Sequence, residues 1–299
     1  MNLPAEIQKL KAARNAVILA HNYQVPDVQD IADFTGDSLE LARKATEINA
    51  AVIVFCGVHF MAETAAILNP GKTVLIPDAH AGCPMADMIT GQQLREFKAA
   101  HPGAKVVCYV NSTAEVKAES DCCCTSGNAA KIVRHYEGQE VIFVPDQHLG
   151  SVVEEQLGRK LILWPGYCPT HARIHPKEIL DLKAAHPHAL ALAHPECPKP
   201  IRVVADQILS TGQMCKFVQE NPAAEFIIAT EEGLLHRLKK NNPQKVFYRV
   251  SPFAVCPNMK RNTLEKVLFC LRNLQPVVSV DPVVAKQARR AIDQMLAWS

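Results

Sequence analysis

The chain has 299 residues, 48% of them hydrophobic and 21% charged, with 32 Lys and Arg against 30 Asp and Glu. That balance is ordinary for a globular chain and long enough for two or three small domains. A formal net charge of +2 gives no reason to expect nucleic acid or an anionic membrane as a partner, and no apolar stretch approaches a transmembrane length.

Residues 1–15 read as a leading helix. The apolar run Ala16 to Ala20 is too brief for a signal-peptide core, so a cytoplasmic location is expected, and the eleven cysteines need an explanation other than disulfides. The same run reads as a strand ending at His21-Asn22-Tyr23. Pro26 to Ala32 then connects to Gly36-Asp37-Ser38, and Leu39 to Ile48 has helical periodicity. A second strand is predicted over Ala51 to Phe55 and a helix over Met61 to Leu68, stopped by Asn69-Pro70-Gly71. A third apolar run, Thr73 to Pro77, leads to Cys83. The pattern recurs with strands at Lys105 to Val110, Glu140 to Val144 and Lys160 to Pro165, ending at Cys168. It recurs again with Ala189 to Ala193, Glu225 to Ala229 and Lys245 to Ser251, ending at Cys256. A tail from Asn262 holds two helical stretches separated by Gln275 to Pro282.

Three Cys-Pro dipeptides mark the period: Cys83-Pro84, Cys168-Pro169 and Cys256-Pro257, 85 and 88 residues apart. A Gly six residues after an Asp repeats as Asp30/Gly36, Asp121/Gly127 and Asp206/Gly212, spaced by 91 and 85. The chain reads as one unit used three times: residues 1–88, 89–172, and 173–299 with a helical tail. Short continuous apolar strands alternating with helices predict an α/β fold of three αβα sandwiches with parallel sheets. Ligands bind such sheets beyond the carboxyl ends of the strands, where the three Cys-Pro turns would meet. Each dipeptide is expected to open a helix with Pro at its first position.

Three thiols at one point suggest a metal. Structural zinc would want a fourth ligand and paired C-x2-C spacing, whereas a [4Fe–4S] cluster on three thiolates leaves one iron open, a Lewis acid suited to dehydration. The plainer alternative is buried thiols carried along with the repeat. Ser38, Ser126 and Thr211 lie in turns that suit a phosphate or carboxylate, or simply cap helices. His21, Tyr23, Tyr109, Asn111, His194 and Glu196 close the first strand of each unit and offer acid, base and hydrogen-bonding groups. The run Cys122-Cys123-Cys124 is expected to pack rather than to ligate, and Cys197-Pro198 falls out of phase.

The segments Ala20 to Gln24, Gly36-Asp37-Ser38, Cys83 to Ala86, Tyr109 to Ser112, His194 to Cys197, Ser210 to Gln213 and Cys256 to Met259 together resemble the quinolinate synthase (quinolinate synthetase A) family over nearly the whole chain. The resemblance implies a pseudo-threefold fold around a [4Fe–4S] cluster held by Cys83, Cys168 and Cys256. It implies condensation of iminoaspartate with dihydroxyacetone phosphate to quinolinate, phosphate and two waters, in de novo NAD biosynthesis. His21, Ser38, Tyr109, Asn111, Ser126, His194, Glu196 and Thr211 would bind substrate, and Tyr23, Tyr109, His194 and Glu196 would carry the catalysis. Functional coupling to L-aspartate oxidase, the source of iminoaspartate, fits the same picture. Some relatives carry a Cys-x-x-Cys pair near the C-terminus, which this chain lacks, so no disulfide switch is carried over. Two other readings remain open at this point: a different cluster-dependent hydro-lyase on a small dicarboxylate, and a non-catalytic iron–sulfur sensor.

Overall fold

A computed structural model describes residues 2–299. After α1 (Leu3–Ala13) the first unit runs β1 (Ala16–His21), α2 (Pro26–Ile31), β2 (Phe34–Gly36), α3 (Ser38–Glu47), β3 (Val52–Cys56), α4 (His59–Leu68) and β4 (Thr73–Leu75). The second runs α5 (Gly91–Ala99), β5 (Lys105–Tyr109), α6 (Ala114–Ala118), β6 (Cys122–Cys124), α7 (Ala129–Arg134), β7 (Val141–Val144), α8 (Gln147–Leu157) and β8 (Ile162–Leu163). The third runs α9 (Pro176–Ala185), β9 (Leu190–Ala193), α10 (Lys199–Val204), β10 (Gln207–Ile208), α11 (Thr211–Glu220), β11 (Glu225–Ala229), α12 (Leu234–Asn241) and β12 (Val246–Arg249). The chain closes with α13 (Leu264–Asn273) and α14 (Pro282–Trp298).

Three four-stranded sheets result, every pair parallel, in the orders β2-β1-β3-β4, β6-β5-β7-β8 and β10-β9-β11-β12. The central strands are apolar on both faces because helices cover both, as parallel sheets require. Each sheet begins with a short edge strand where the sequence pattern predicts only a connecting turn. Runs of two or three residues containing Gly, Cys or Gln carry no periodicity to find, and brevity is how natural sheets keep edges harmless.

These edge strands correct the repeat register. Asp33, not Asp30, is the counterpart of Asp121 and Asp206. Asp33, Asp121 and Asp206 each accept the amide of a first-strand residue, Ile18, Val106 and Ala191, at 2.8, 2.8 and 2.7 Å. Asp30 instead lies on the surface, paired with Lys240 and His236. Gly36 stands in a strand, Gly212 in the first turn of α11, and they are not equivalent. The corrected register, with gaps of 88 and 85, brings Ser38, Ser126 and Thr211 onto one repeat position. It does the same for His21, Tyr109 and His194, and for Tyr23, Asn111 and Glu196.

The Cys-Pro dipeptides do not open α-helices. Each enters a turn followed by a three-residue 3-10 segment, Ala86–Met88, His171–Arg173 and Met259–Arg261, because the residues that follow never sustain helical periodicity. Cys122 to Cys124 form β6, fully buried. They are covered by α14, which also packs on α6 through Ala288, Ala291, Ile292 and Met295. Helix α13 packs on α1 and β3. Among the described residues no helix is long and apolar enough to cross a membrane.

Candidate active site

The carboxyl ends of the three sheets face a common cavity of about 660 Å³, and all twelve side chains singled out from the sequence line it. The register explains why. Residues at the ends of β1, β5 and β9 project into the centre, and the turns leading to α3, α7 and α11 bring in the hydroxyls of Ser38, Ser126 and Thr211.

The cysteines arrive by a threefold device. The amide following each second-strand turn, that of His59, Gln147 or Glu232, donates to the carbonyl two residues before the cysteine, that of Ala81, Gly166 or Ala254, at 2.7, 2.9 and 3.0 Å. Backbone N–H groups in the 3-10 turns point back at the sulfurs: Ala86 and Met85 at Cys83, His171 at Cys168, Met259 and Asn258 at Cys256. The third loop is tied further by buried Glu231, which accepts from the Cys256 amide at 3.0 Å and from Lys260 Nζ at 2.8 Å. All three thiols are free. Burial pushes Cys83 up to about 12, and burial first, with neighbouring anions, raises Cys168 and Cys256. Without metal they are protonated, and binding one must displace those protons.

Glu196 lies in the same cavity, its carboxylate within 4.8 Å of the Cys168 sulfur. Its Oε1 accepts from Tyr109 Oη at 2.6 Å and from Asn111 Nδ2 at 3.2 Å, and its Oε2 lies 2.8 Å from His171 Nδ1. His171 Nε2 is 2.9 Å from Thr230 Oγ1, which is 2.5 Å from Tyr23 Oη. Glu196, His171, Thr230 and Tyr23 thus form one continuous buried chain of polar contacts. Burial pushes the Glu196 carboxyl up, but His171 and His194, with the hydrogen bond from Tyr109, outweigh it and hold the group below the usual carboxylate range. Burial, then Glu196, raises both phenols, Tyr23 and Tyr109. Burial lowers His21 and His194 to about 3 each. Asn111 Oδ1 is buried with no hydrogen-bond partner, an acceptor facing the cavity.

The sequence reading missed His171 and Thr230. His171 sits three residues past Cys168, where the other units carry Ala86 and Met259, so the repeat offered no signal for it. Thr230 follows β11 directly, and a single Thr after a second strand carries no signal of its own in the sequence. Cys168, His171 and Glu196 carry potential ligand atoms within 4.8 Å of one another. His171 Nε2 is engaged by Thr230, and Nδ1 lies close to Glu196 without a well-aligned hydrogen bond, a nitrogen placed to exchange a proton with the carboxylate.

Two expected outcomes arise here. A Cβ on Gly233 would meet the backbone of Tyr23 at 2.7–2.8 Å, so Gly233→Ala must displace Tyr23. We expect a fall in kcat/KM of about tenfold to a hundredfold, measured in steady state with folding checked by circular dichroism. In the metal-free protein, His21 titrates at about 3 when folded and near its ordinary value of about 6.5 when unfolded. Below about pH 6.5 the unfolded chain therefore binds a proton the folded one refuses, and stability falls with pH, by about 1.4 kcal/mol per unit for this group. His21→Asn should flatten the pH dependence of denaturant unfolding between roughly pH 6.5 and 4.5. The difference from wild type isolates His21 from Asp146 and Glu231, whose pKa values burial raises and which act in the opposite sense.

A cavity at the carboxyl ends of three parallel sheets, with an ionised carboxylate set between histidines and neutral phenols, is the active site of an enzyme. Comparison with known proteins agrees. The family model for Quinolinate synthetase A protein matches residues 5–297. The chain is 57% identical to the quinolinate synthase of Dehalococcoides mccartyi (strain BAV1), over 97% of this chain and 96% of that one. It is 54% identical to that of Methanosarcina barkeri, over 97% and 96%, and 52% to that of Geotalea uraniireducens, over 98% and 96%. The chain belongs to the quinolinate synthetase A family.

Proposed function

We propose that the chain is a quinolinate synthase of de novo NAD biosynthesis, condensing iminoaspartate with dihydroxyacetone phosphate to quinolinate, phosphate and two waters. Cys83, Cys168 and Cys256 would hold a [4Fe–4S] cluster. The donor set fits it: three free thiols, one from each unit, line one cavity, each met by backbone N–H groups that stabilise sulfur anions. When bound, such a cluster supplies one open iron, a Lewis acid for carboxylate or hydroxyl oxygens.

The single observation that carries the reading is the meeting of these three thiols with the Glu196–His171–Thr230–Tyr23 chain in one cavity. Glu196, ionised, takes a proton from the substrate. Its new charge state is felt at His171 and, through Thr230, at Tyr23, whose buried phenol keeps its proton available to a leaving oxygen. Tyr109 and Asn111 fix the orientation of the carboxylate. His21 and His194, neutral when buried, offer lone pairs or N–H groups without adding charge, and Ser38, Ser126 and Thr211 converge as hydroxyl donors for a phosphate or carboxylate. The test is anaerobic purification, iron and sulfide counting, and a quinolinate assay from the two substrates. Four irons without product would leave another dicarboxylate hydro-lyase; zinc, or no metal, would overturn the reading.

A further inference from the structure

The corrected register aligns three buried polar residues that no catalytic argument above uses: Gln29 on α2, Lys117 on α6 and Arg202 on α10, 88 and 85 residues apart. Each reaches back five residues to a main-chain carbonyl in the turn after the first strand of its unit. Gln29 Nε2 donates to Gln24 O at 2.8 Å, Lys117 Nζ to Ser112 O at 2.6 Å, and Arg202 Nε to Cys197 O at 3.1 Å. Those turns carry His21 and Tyr23, Tyr109 and Asn111, and His194 and Glu196. Residue type has diverged completely at this position, while the donated bond and its span have not. What the fold keeps is therefore the bond to the turn.

Lys117 is the revealing member. Gln29 also donates to Asn22 O and Gly233 O, and Arg202 to Glu155 and Ser151, so each has structural work of its own. Lys117 is wholly buried, and among the described residues Ser112 O is its only hydrogen-bond acceptor; no carboxylate pairs with it directly, and Glu63 acts on it only from a distance. Its ammonium otherwise meets the Phe60 ring at 5.3 Å. Burial disfavours its charged form, and an amine buried with no directly paired carboxylate is a poor way to stabilise a fold, so an apolar side chain of similar length would usually do about as well. Ser112 is in turn held by its own hydroxyl, donated to Tyr109 O at 2.9 Å. The path from Lys117 thus ends at the two side chains that grip Glu196.

We propose that Lys117 is a positioning residue: it fixes the turn at residues 109–112 so that Tyr109 and Asn111 hold Glu196 in its reactive orientation, the role Gln29 and Arg202 play in their own units. The catalytic half of this inference rests on the quinolinate synthase reading; the structural half does not.

The test compares anaerobically purified, cluster-loaded full-length wild type with Lys117→Met and with Lys117→Gln, which borrows the residue the first unit uses. Lys117→Met is expected to keep its iron content and a thermal midpoint close to that of wild type, the relief of burying an amine offsetting the lost bond. It should speed hydrogen–deuterium exchange in the peptide covering 107–113 and lower kcat about tenfold to a hundredfold, with KM within about twofold. Lys117→Gln should restore slow exchange in that peptide and most of the lost kcat. Unchanged exchange in Lys117→Met, a Gln variant as impaired as the Met variant, or a kcat loss that merely tracks lost iron or stability would each overturn the proposal. A wild type that makes no quinolinate would sink the functional reading alone, since the exchange data still decide whether Lys117 fixes the turn.

Discussion

Replacing Glu196 by glutamine is expected to lower kcat for quinolinate formation by about 10²- to 10⁴-fold while leaving about four irons per chain. Glutamine keeps the shape and one acceptor for Tyr109 and Asn111, which now bond Oε1. It cannot keep the charge that His171 faces at 2.8 Å and His194 at 3.9 Å, nor can it take up a proton. Because the carboxylate is held below its usual range by these neighbours, the wild-type group is fully ionised at neutral pH and the loss falls on chemistry rather than on binding. The measurement is single-turnover and steady-state kinetics beside iron analysis. A variant with wild-type kcat would remove Glu196 from the mechanism, and one that loses its iron would make Glu196 a support for the metal site instead.

Cys168→Ser should abolish both iron–sulfur absorption and quinolinate formation, yet leave far-ultraviolet circular dichroism unchanged. Serine is slightly smaller and Cys168 is only partly buried, so little packing is lost. The alkoxide it would need is far harder to form than a thiolate, and three ligands are already the minimum for a cluster with one open iron. The sulfur also lies within 4.8 Å of the His171 and Glu196 ligand atoms, so the substitution falls at the point where the thiols meet the acid–base groups. Retention of full iron and activity would break the three-thiolate argument.

Much of this site was legible in the sequence because the chain repeats. Single residues such as His21 or Asn111 carry no signal alone; their place at the end of an apolar run, three times over, does. Parallel strands covered on both faces are written as continuous apolar runs, and all nine runs read as strands form strands. What stayed hidden was of two kinds. Edge strands of two or three residues, such as Gln207–Ile208, are too short to show a period, and without them Asp30 stood in for Asp33. His171 and Thr230 were hidden for the opposite reason: they depart from the repeat, and their meeting depends on how the second and third units face each other across the cavity, which no local pattern encodes.

The pseudo-threefold scaffold has a consequence for how a small, unsymmetrical molecule is oriented. The three walls of the cavity have nearly the same backbone, but at matching positions they carry His, Tyr and His, then Tyr, Asn and Glu. A ligand turned by a third of a revolution would meet the same shape and the wrong chemistry. Handedness at the centre is therefore written in the differences between copies, and drift at a single repeat position is enough to turn three interchangeable seats into one keyed orientation.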